Sequence, residues 1–226
     1  MRAIALIPAF NAEDTIEATI EGLRNIPEIG GILVVDDGSA DETARRAEQA
    51  GAEVIRHPRN VGKGAALNTG LAALRNRDFE ALALVDSDLG ASAAGFARLL
   101  APVLAGRADM TIACFPRSKR PGGFGLAKGF CRLGLRAFTG RWFSAPMSGQ
   151  RVLSAAIAAR LPGFAAGWGC EPALTIDVHR LGGRILEVPV EMTHTETGRS
   201  FKDFAHRGRQ LLAAARVFLR AALGRR

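Results

Sequence analysis

Short apolar runs alternate along the first half of the chain with stretches whose apolar positions recur at a helical period. Ala3–Ile7 is the first run, closed by Pro8. Ile16, Ile20 and Leu23 then repeat at i, i+4 and i+7, with Asn11 as the expected N-cap and Asp14 in the first turn. Gly31–Val35 reads as a second strand and ends at Asp36-Asp37-Gly38-Ser39. Ser39 and Glu42 have the spacing of a capping box, and Gly51 stops the helix they would open. Glu53–Arg56 is a shorter strand. Gly62-Lys63-Gly64 leads into a helix with Leu67, Leu71 and Leu74 on one face. Ala81–Val85 is the next buried strand, followed by a helix over Ser92–Leu104 and a strand at Met110–Cys114. Strands alternating with helices predict right-handed crossovers and an α/β fold with a mostly parallel sheet.

The rhythm changes after Phe115. Pro116–Gly125 is basic, glycine-rich and aperiodic, which predicts a surface loop. A helix is expected over Leu126–Thr139. A polar knot, Ser148-Gly149-Gln150-Arg151, precedes an alanine-rich helix. Gly163–Gly169 is a second glycine-rich stretch, and Glu171 opens a helix running to Leu181. Arg184–Val190 is a strand that Pro189 confines to an edge or bend. A turn over His194–Ser200 leads to a last helix, Ser200–Leu223. On it Lys202, Arg209, Arg216 and Arg220 form one stripe. Phe201, Phe204, Leu211, Leu212, Phe218 and Leu219 fall opposite. No repeat or linker divides the 226 residues, so one domain over 1–226 is expected.

Composition narrows the class. With 48% hydrophobic and 23% charged residues the chain is globular, and its net charge of +8 suits an anionic partner. Aromatic content of 6% and the lack of a recognition motif argue against nucleic acid. The last helix could instead lie on an anionic membrane surface. No apolar run is long enough to cross a bilayer. The first strand starts near Met1, leaving no room for a signal peptide, and Cys114, Cys131 and Cys170 show neither metal-ligand spacing nor a disulfide framework. These features suggest a cytoplasmic protein, peripheral at most.

The candidate chemistry lies at strand ends. Asp86 and Asp88 follow a buried strand at i and i+2, a spacing of hard oxygen ligands suited to Mg²⁺ or Mn²⁺ on phosphates. An Asp-rich turn with Asp88 capping the next helix is the plain alternative. Pro8-Ala9-Phe10-Asn11 and Asp36-Asp37-Gly38-Ser39 end the first two strands. In a parallel sheet the three ends share one edge, where open α/β sheets bind ligands.

Together IPAFN, VVDDGSADET, NVGKGAALNTG and LVDSDLG, in this order and at these intervals, resemble the family 2 glycosyltransferases of GT-A fold, in particular the dolichyl- and polyprenyl-phosphate sugar transferases. The match covers about residues 1–114, which would bind the donor; 115–226 would bind the acceptor. The resemblance implies transfer of a sugar from a UDP- or GDP-sugar, with inversion, to a phosphorylated or lipid-linked acceptor. Pro8, Ala9 and Phe10 would line the base pocket, with Glu13 nearby. Asp37 would read base or ribose, and Lys63 would lie near the phosphates. Asp86, with Ser87, would touch the donor, and Asp88 would bind the metal. Gly90 stands where related enzymes often carry a Gln that helps the metal; His194 could complete its ligands instead. Glu171 would face the acceptor as general base. Arg117, Ser148, Arg151 and Arg199 would hold phosphate near the cleft mouth. A nucleotidyltransferase that builds the nucleotide-sugar, or a non-catalytic nucleotide-sugar-binding protein, are the alternatives.

Overall fold

The computed structural model describes residues 2–115, 126–192 and 214–223. Seven strands form one sheet among them: β1 (Ala3–Ala9), β2 (Ile29–Asp36), β3 (Glu53–Arg56), β4 (Ala81–Leu84), β5 (Met110–Cys114), β6 (Arg151–Ser154) and β7 (Ile185–Pro189). Their order is β3-β2-β1-β4-β6-β5-β7. All neighbouring pairs are parallel except those of β6, which runs antiparallel to both β4 and β5. Helices α1 (Ile16–Arg24), α2 (Thr43–Gln49), α3 (Lys63–Leu74), α4 (Phe96–Leu104), α5 (Leu126–Thr139), α6 (Ala155–Arg160) and α7 (Cys170–Arg180) connect them. A last helix, α8, covers 214–222.

The alternating side chains of β1 divide the core. Ile4 and Leu6 pack with Leu67, Leu71 and Leu74 of α3 on one face. Ala3, Ala5 and Ile7 pack with Ile16, Ile20 and Leu23 of α1 and with Phe96 and Leu99 of α4 on the other. The apolar periods therefore assigned faces as well as elements.

The predicted ends differ in ways that carry a reason. Helix α1 begins at Ile16, and Asn11 is no cap: it takes a left-handed φ of 49°. Its amide, like those of Ala12 and Glu13, donates to a side chain of the 39–43 segment that leads into α2, namely Ser39 Oγ (2.9 Å), Thr43 Oγ1 (2.7 Å) and Asp41 Oδ2 (3.2 Å). These remote acceptors hold residues 11–13 out of the helix. They also dissolve the expected capping box, because the Ser39 hydroxyl accepts from Asn11 and donates to Asp36. The helix expected from Ser92 starts as a 3₁₀ turn over Gly90–Gly95 before α4.

Strand β6 is the main correction. The knot at 148–151 was expected to lead straight into a helix, but Arg151–Ser154 is a strand between β4 and β5. Four residues opening on an arginine give no strand signal of their own; two apolar neighbours make the strand. β7 occupies the sheet edge, where Pro189 costs no ladder bond. On α8 the buried face is Ala214, Phe218 and Ala221, while Leu219 is 62% exposed, not part of the buried side. The remainder of the expected last helix, the Pro116–Gly125 loop and the His194–Ser200 turn lie outside the described residues.

Candidate active site

From β1 the chain winds outward through β2 to β3, then returns to place β4 on the other side of β1. The carboxyl end of β1 is therefore the switch point, where helices leave in opposite directions and open a crevice. The turns after β1, β2 and β4 meet there: the Asp37 amide donates to Ala9 O (2.8 Å) and that of Val85 to Leu6 O (3.1 Å). Gly38 makes its turn possible. Its φ is +75°, and a Cβ there would lie 2.5 Å from the Arg59 backbone.

Asp86 is held by two residues far from it in the chain. Its Oδ1 accepts from Lys63 Nζ at 2.7 Å, and its Oδ2 accepts from Gln150 Nε2 at 2.6 Å. The Asp86 amide donates in turn to Gln150 Oε1 at 3.0 Å. Lys63, the first residue of α3, also reaches Glu171 Oε1 at 3.0 Å in the first turn of α7. Burial alone would push the Lys63 ammonium down. The two carboxylates outweigh it and hold the group above the ordinary lysine range. Asp86 and Glu171 are 32% and 13% exposed, and together with Pro8 and Gly149 they line a small cavity.

Gln150 was not singled out from the sequence. It is 2% exposed and spends its amide wholly on Asp86. The antiparallel direction of β6 puts it there, since Arg151 pairs with Leu84 at the carboxyl end of β4. The only signal was the polar knot itself.

Asp88 differs from its neighbours. It is half-buried and makes no hydrogen bond or ion pair with any described residue. The turn that carries it is tied to α1: Thr15 and Thr19 hydroxyls donate to Ser87 O at 2.8 and 3.1 Å, and the Gly90 amide donates to Thr19 Oγ1 at 2.8 Å. Gly90 has φ +53°, a left-handed conformation that glycine adopts without strain. Among the described residues no three His, Cys, Asp or Glu side chains form a metal cage. An open carboxylate on a tethered turn nevertheless fits Mg²⁺ or Mn²⁺, which take one or two carboxylates and fill the rest of the shell with water and substrate phosphate.

The other expected residues have varied surroundings. Asp37 is 3% exposed, and its carboxylate is saturated by the amides of Val61 (3.0 Å) and Gly62 (2.7 Å) and by His57 Nδ1 (2.7 Å). Little of it is left exposed. It anchors the loop that delivers Lys63. Glu13 is drawn to α2, accepting from the Glu42 amide (3.2 Å) and lying 4.0 Å from Arg46. Phe10 is 48% exposed at the crevice and Ala9 is buried. The Ser148 hydroxyl is buried without a partner. Arg117, His194 and Arg199 lie outside the described residues.

Arg151 is not at the cleft mouth. It is 1% exposed and donates to Ser148 O (2.9 Å), Pro146 O (3.3 Å) and Thr175 Oγ1 (2.8 Å). Burial pushes its guanidinium down to about 10, despite the opposing pull of Glu171. It remains a cation at neutral pH and ties the 146–149 turn to α7. Truncation would leave these acceptors unmet, so Arg151→Ala is expected to lose about 3 kcal/mol in urea unfolding. Cys170, directly before Glu171, is buried; burial first and then the Glu171 charge push its thiol up to about 12. It stays protonated and is no nucleophile.

Comparison with known proteins agrees with this geometry. The model of the family described as Glycosyl transferase family 2 matches residues 4–143. An undecaprenyl-phosphate mannosyltransferase of Micrococcus luteus is 26% identical over 219 residues, spanning 88% of this chain and 87% of the relative. Glucosyl-3-phosphoglycerate synthase of Mycobacterium tuberculosis is 31% identical over 204 residues, 78% of this chain and 61% of the relative. A crystal structure of that synthase with Mn²⁺, UDP-glucose and phosphoglyceric acid matches at a TM-score of 0.77 and 27% identity, covering 96% of this chain and 79% of the other.

Proposed function

The chain belongs to glycosyl transferase family 2, and we propose that it transfers a sugar from a UDP- or GDP-sugar, with Mg²⁺ or Mn²⁺, to an acceptor bearing a phosphate. The observation that carries this reading is the contrast between two aspartates two residues apart. Asp86 is fully engaged by Lys63 and Gln150, whereas Asp88 offers a carboxylate free of described partners at the switch point. The family membership disposes of the nucleotidyltransferase and non-catalytic alternatives as first choices. Two relatives support the acceptor class, since one acts on undecaprenyl phosphate and the other makes glucosyl-3-phosphoglycerate. The solved synthase contained UDP-glucose, which favours uridine in the donor.

In this reading Asp88 holds the divalent ion against the donor diphosphate. When bound, that ion neutralises charge as the nucleoside diphosphate departs. Lys63 keeps Asp86 and Glu171 from repelling the donor and from repelling each other. Gln150 fixes the rotamer of Asp86 toward the sugar. Glu171 faces the acceptor: it removes the proton of a hydroxyl acceptor. Where the acceptor already presents a phosphate oxygen, it only positions groups. Direct displacement across such a site inverts the anomeric centre. Arg117 and Arg199 complete the proposal as phosphate ligands, and His194 as a second metal ligand.

The test is a thermal-shift panel of UDP-glucose, GDP-mannose and nucleoside triphosphates, with Mn²⁺ and with EDTA, followed by product analysis on 3-phosphoglycerate and polyprenyl phosphate. A native donor at about a hundred times its Kd stabilises the fold by about 2.7 kcal/mol, visible as a metal-dependent rise in Tm. Absence of any shift with nucleotide-sugars would sink the proposal. Pyrophosphate release from a triphosphate would replace it with nucleotidyl transfer.

A further inference from the structure

Five of the eight large hydrophobic side chains exposed among the described residues gather on or beside two helices. They are Phe130, Leu133 and Trp142 around α5, and Leu219 and Leu223 on α8. Leu133, Leu219 and Leu223 are each more than 60% exposed. The two helices pack through Phe218, whose ring centroid lies 5.6 Å from that of Phe130 and 5.9 Å from that of Phe138. At Gly134 a Cβ would fall 2.2 Å from the same ring, so the backbones approach closely. Leu133 and Leu219, each one residue from that contact, border the same seam.

Cations frame these apolar groups. Lys128, Arg132 and Arg136 on α5 and Arg216 and Arg220 on α8 are all exposed, and neither described helix contains Asp or Glu. Arg136 and Arg132 lie over the Trp142 ring at 4.7 and 5.6 Å. Outward-facing aliphatics, an indole clasped by guanidinium groups and two described helices without a carboxylate are the composition of an interfacial surface.

We infer that this two-helix face docks on a membrane surface containing anionic lipid. The leucines and Phe130 enter the acyl boundary, Trp142 sits at headgroup level, and the arginines meet lipid phosphates. Charge separates this occupant from the others. A second copy paired isologously would set the same cations against each other. A nucleic acid would satisfy the cations and leave Leu133, Leu219 and Leu223 in water. The docking also has a consequence for the site, because α5 packs on α7, whose first turn carries Glu171. The inference stands on this surface and does not depend on the transfer reaction.

Vesicle co-sedimentation of the full chain tests it, using phosphatidylcholine alone and an equal mixture with phosphatidylglycerol. The protein is expected to sediment with the anionic vesicles and to be released by high salt. Arg132→Glu with Arg136→Glu should cut the bound fraction at least about tenfold. Leu133→Ser with Leu219→Ser should do the same without changing the charge, and circular dichroism and thermal unfolding report whether each variant is folded. Trp142 emission should shift to shorter wavelength on the anionic vesicles, and Trp142→Phe should remove that shift. No vesicle binding at low salt, equal binding to both compositions, or binding untouched by all these substitutions would overturn the inference. So would a concentration-dependent dimer that Leu133→Ser with Leu219→Ser dissolves, which would give the face to a second copy.

Discussion

Asp88→Ala is expected to keep its fold and to lose sugar transfer by about three orders of magnitude, or about 4 kcal/mol of barrier. The fold is expected to survive because no described residue depends on this carboxylate; Ser87 and Gly90 backbone groups, not Asp88, tie the turn to α1. The loss is expected because Asp88 alone of the two aspartates is available to a cation. Asp86 has already committed one oxygen to Lys63 and the other to Gln150. The loss should therefore be metal-specific. Mn²⁺ should no longer raise the affinity for the donor, while any metal-independent nucleotide binding remains. Calorimetric titration of the donor with Mn²⁺ and with EDTA, on parent and variant, reads this directly. Full transfer by Asp88→Ala, or an unchanged Mn²⁺ effect on binding, would remove Asp88 from the metal site.

Lys63→Met is the second variant with a large expected effect. The ammonium lies between Asp86 at 2.7 Å and Glu171 at 3.0 Å. Without it two carboxylates face each other, beside an anionic diphosphate in the proposed donor complex. Donor KM should rise about tenfold or more, and kcat should fall as Asp86 loses its fixed position. Lys63→Arg retains the charge without the compact geometry and should recover binding more than rate. The Lys63 side chain is about one-third exposed, so solvent moderates the folding penalty and the main effect is catalytic. Steady-state kinetics with both variants separates the two contributions. Wild-type kcat and KM in Lys63→Met would show that the triad is structural decoration.

Much of the scaffold could be read from the chain. The apolar runs at Ala3, Gly31, Ala81 and Met110 became strands, and the Leu67, Leu71 and Leu74 face was buried as expected. Local periodicity suffices there, because a strand or helix that buries one face must show it in its own residues. The acidic turns were legible for a related reason: parallel strands all end at one edge, so their terminal residues become neighbours without any need to know the fold in detail. The knot at 148–151 was legible as polar but not as a strand, since β6 exists only through its pairing with β4 and β5.

The use of each carboxylate was a different matter. Asp36, Asp37, Asp86 and Asp88 look alike along the chain. Asp37 is consumed by Val61, Gly62 and His57; Asp86 is consumed by Lys63 and Gln150; Asp88 keeps its oxygens. Arg151 looked like a phosphate clamp and is a buried brace. By itself, then, the sequence determined the order of strands and helices apart from β6, most of the buried faces and the edge at which acidic turns gather, since all of these follow from spacing along one segment. Only the tertiary structure decided which acid is free and which cation is spent. Hydrogen bonds and charge pairs act over a few ångströms of space, and the partners that settle the matter, Gln150 and Glu171 among them, are far away along the chain.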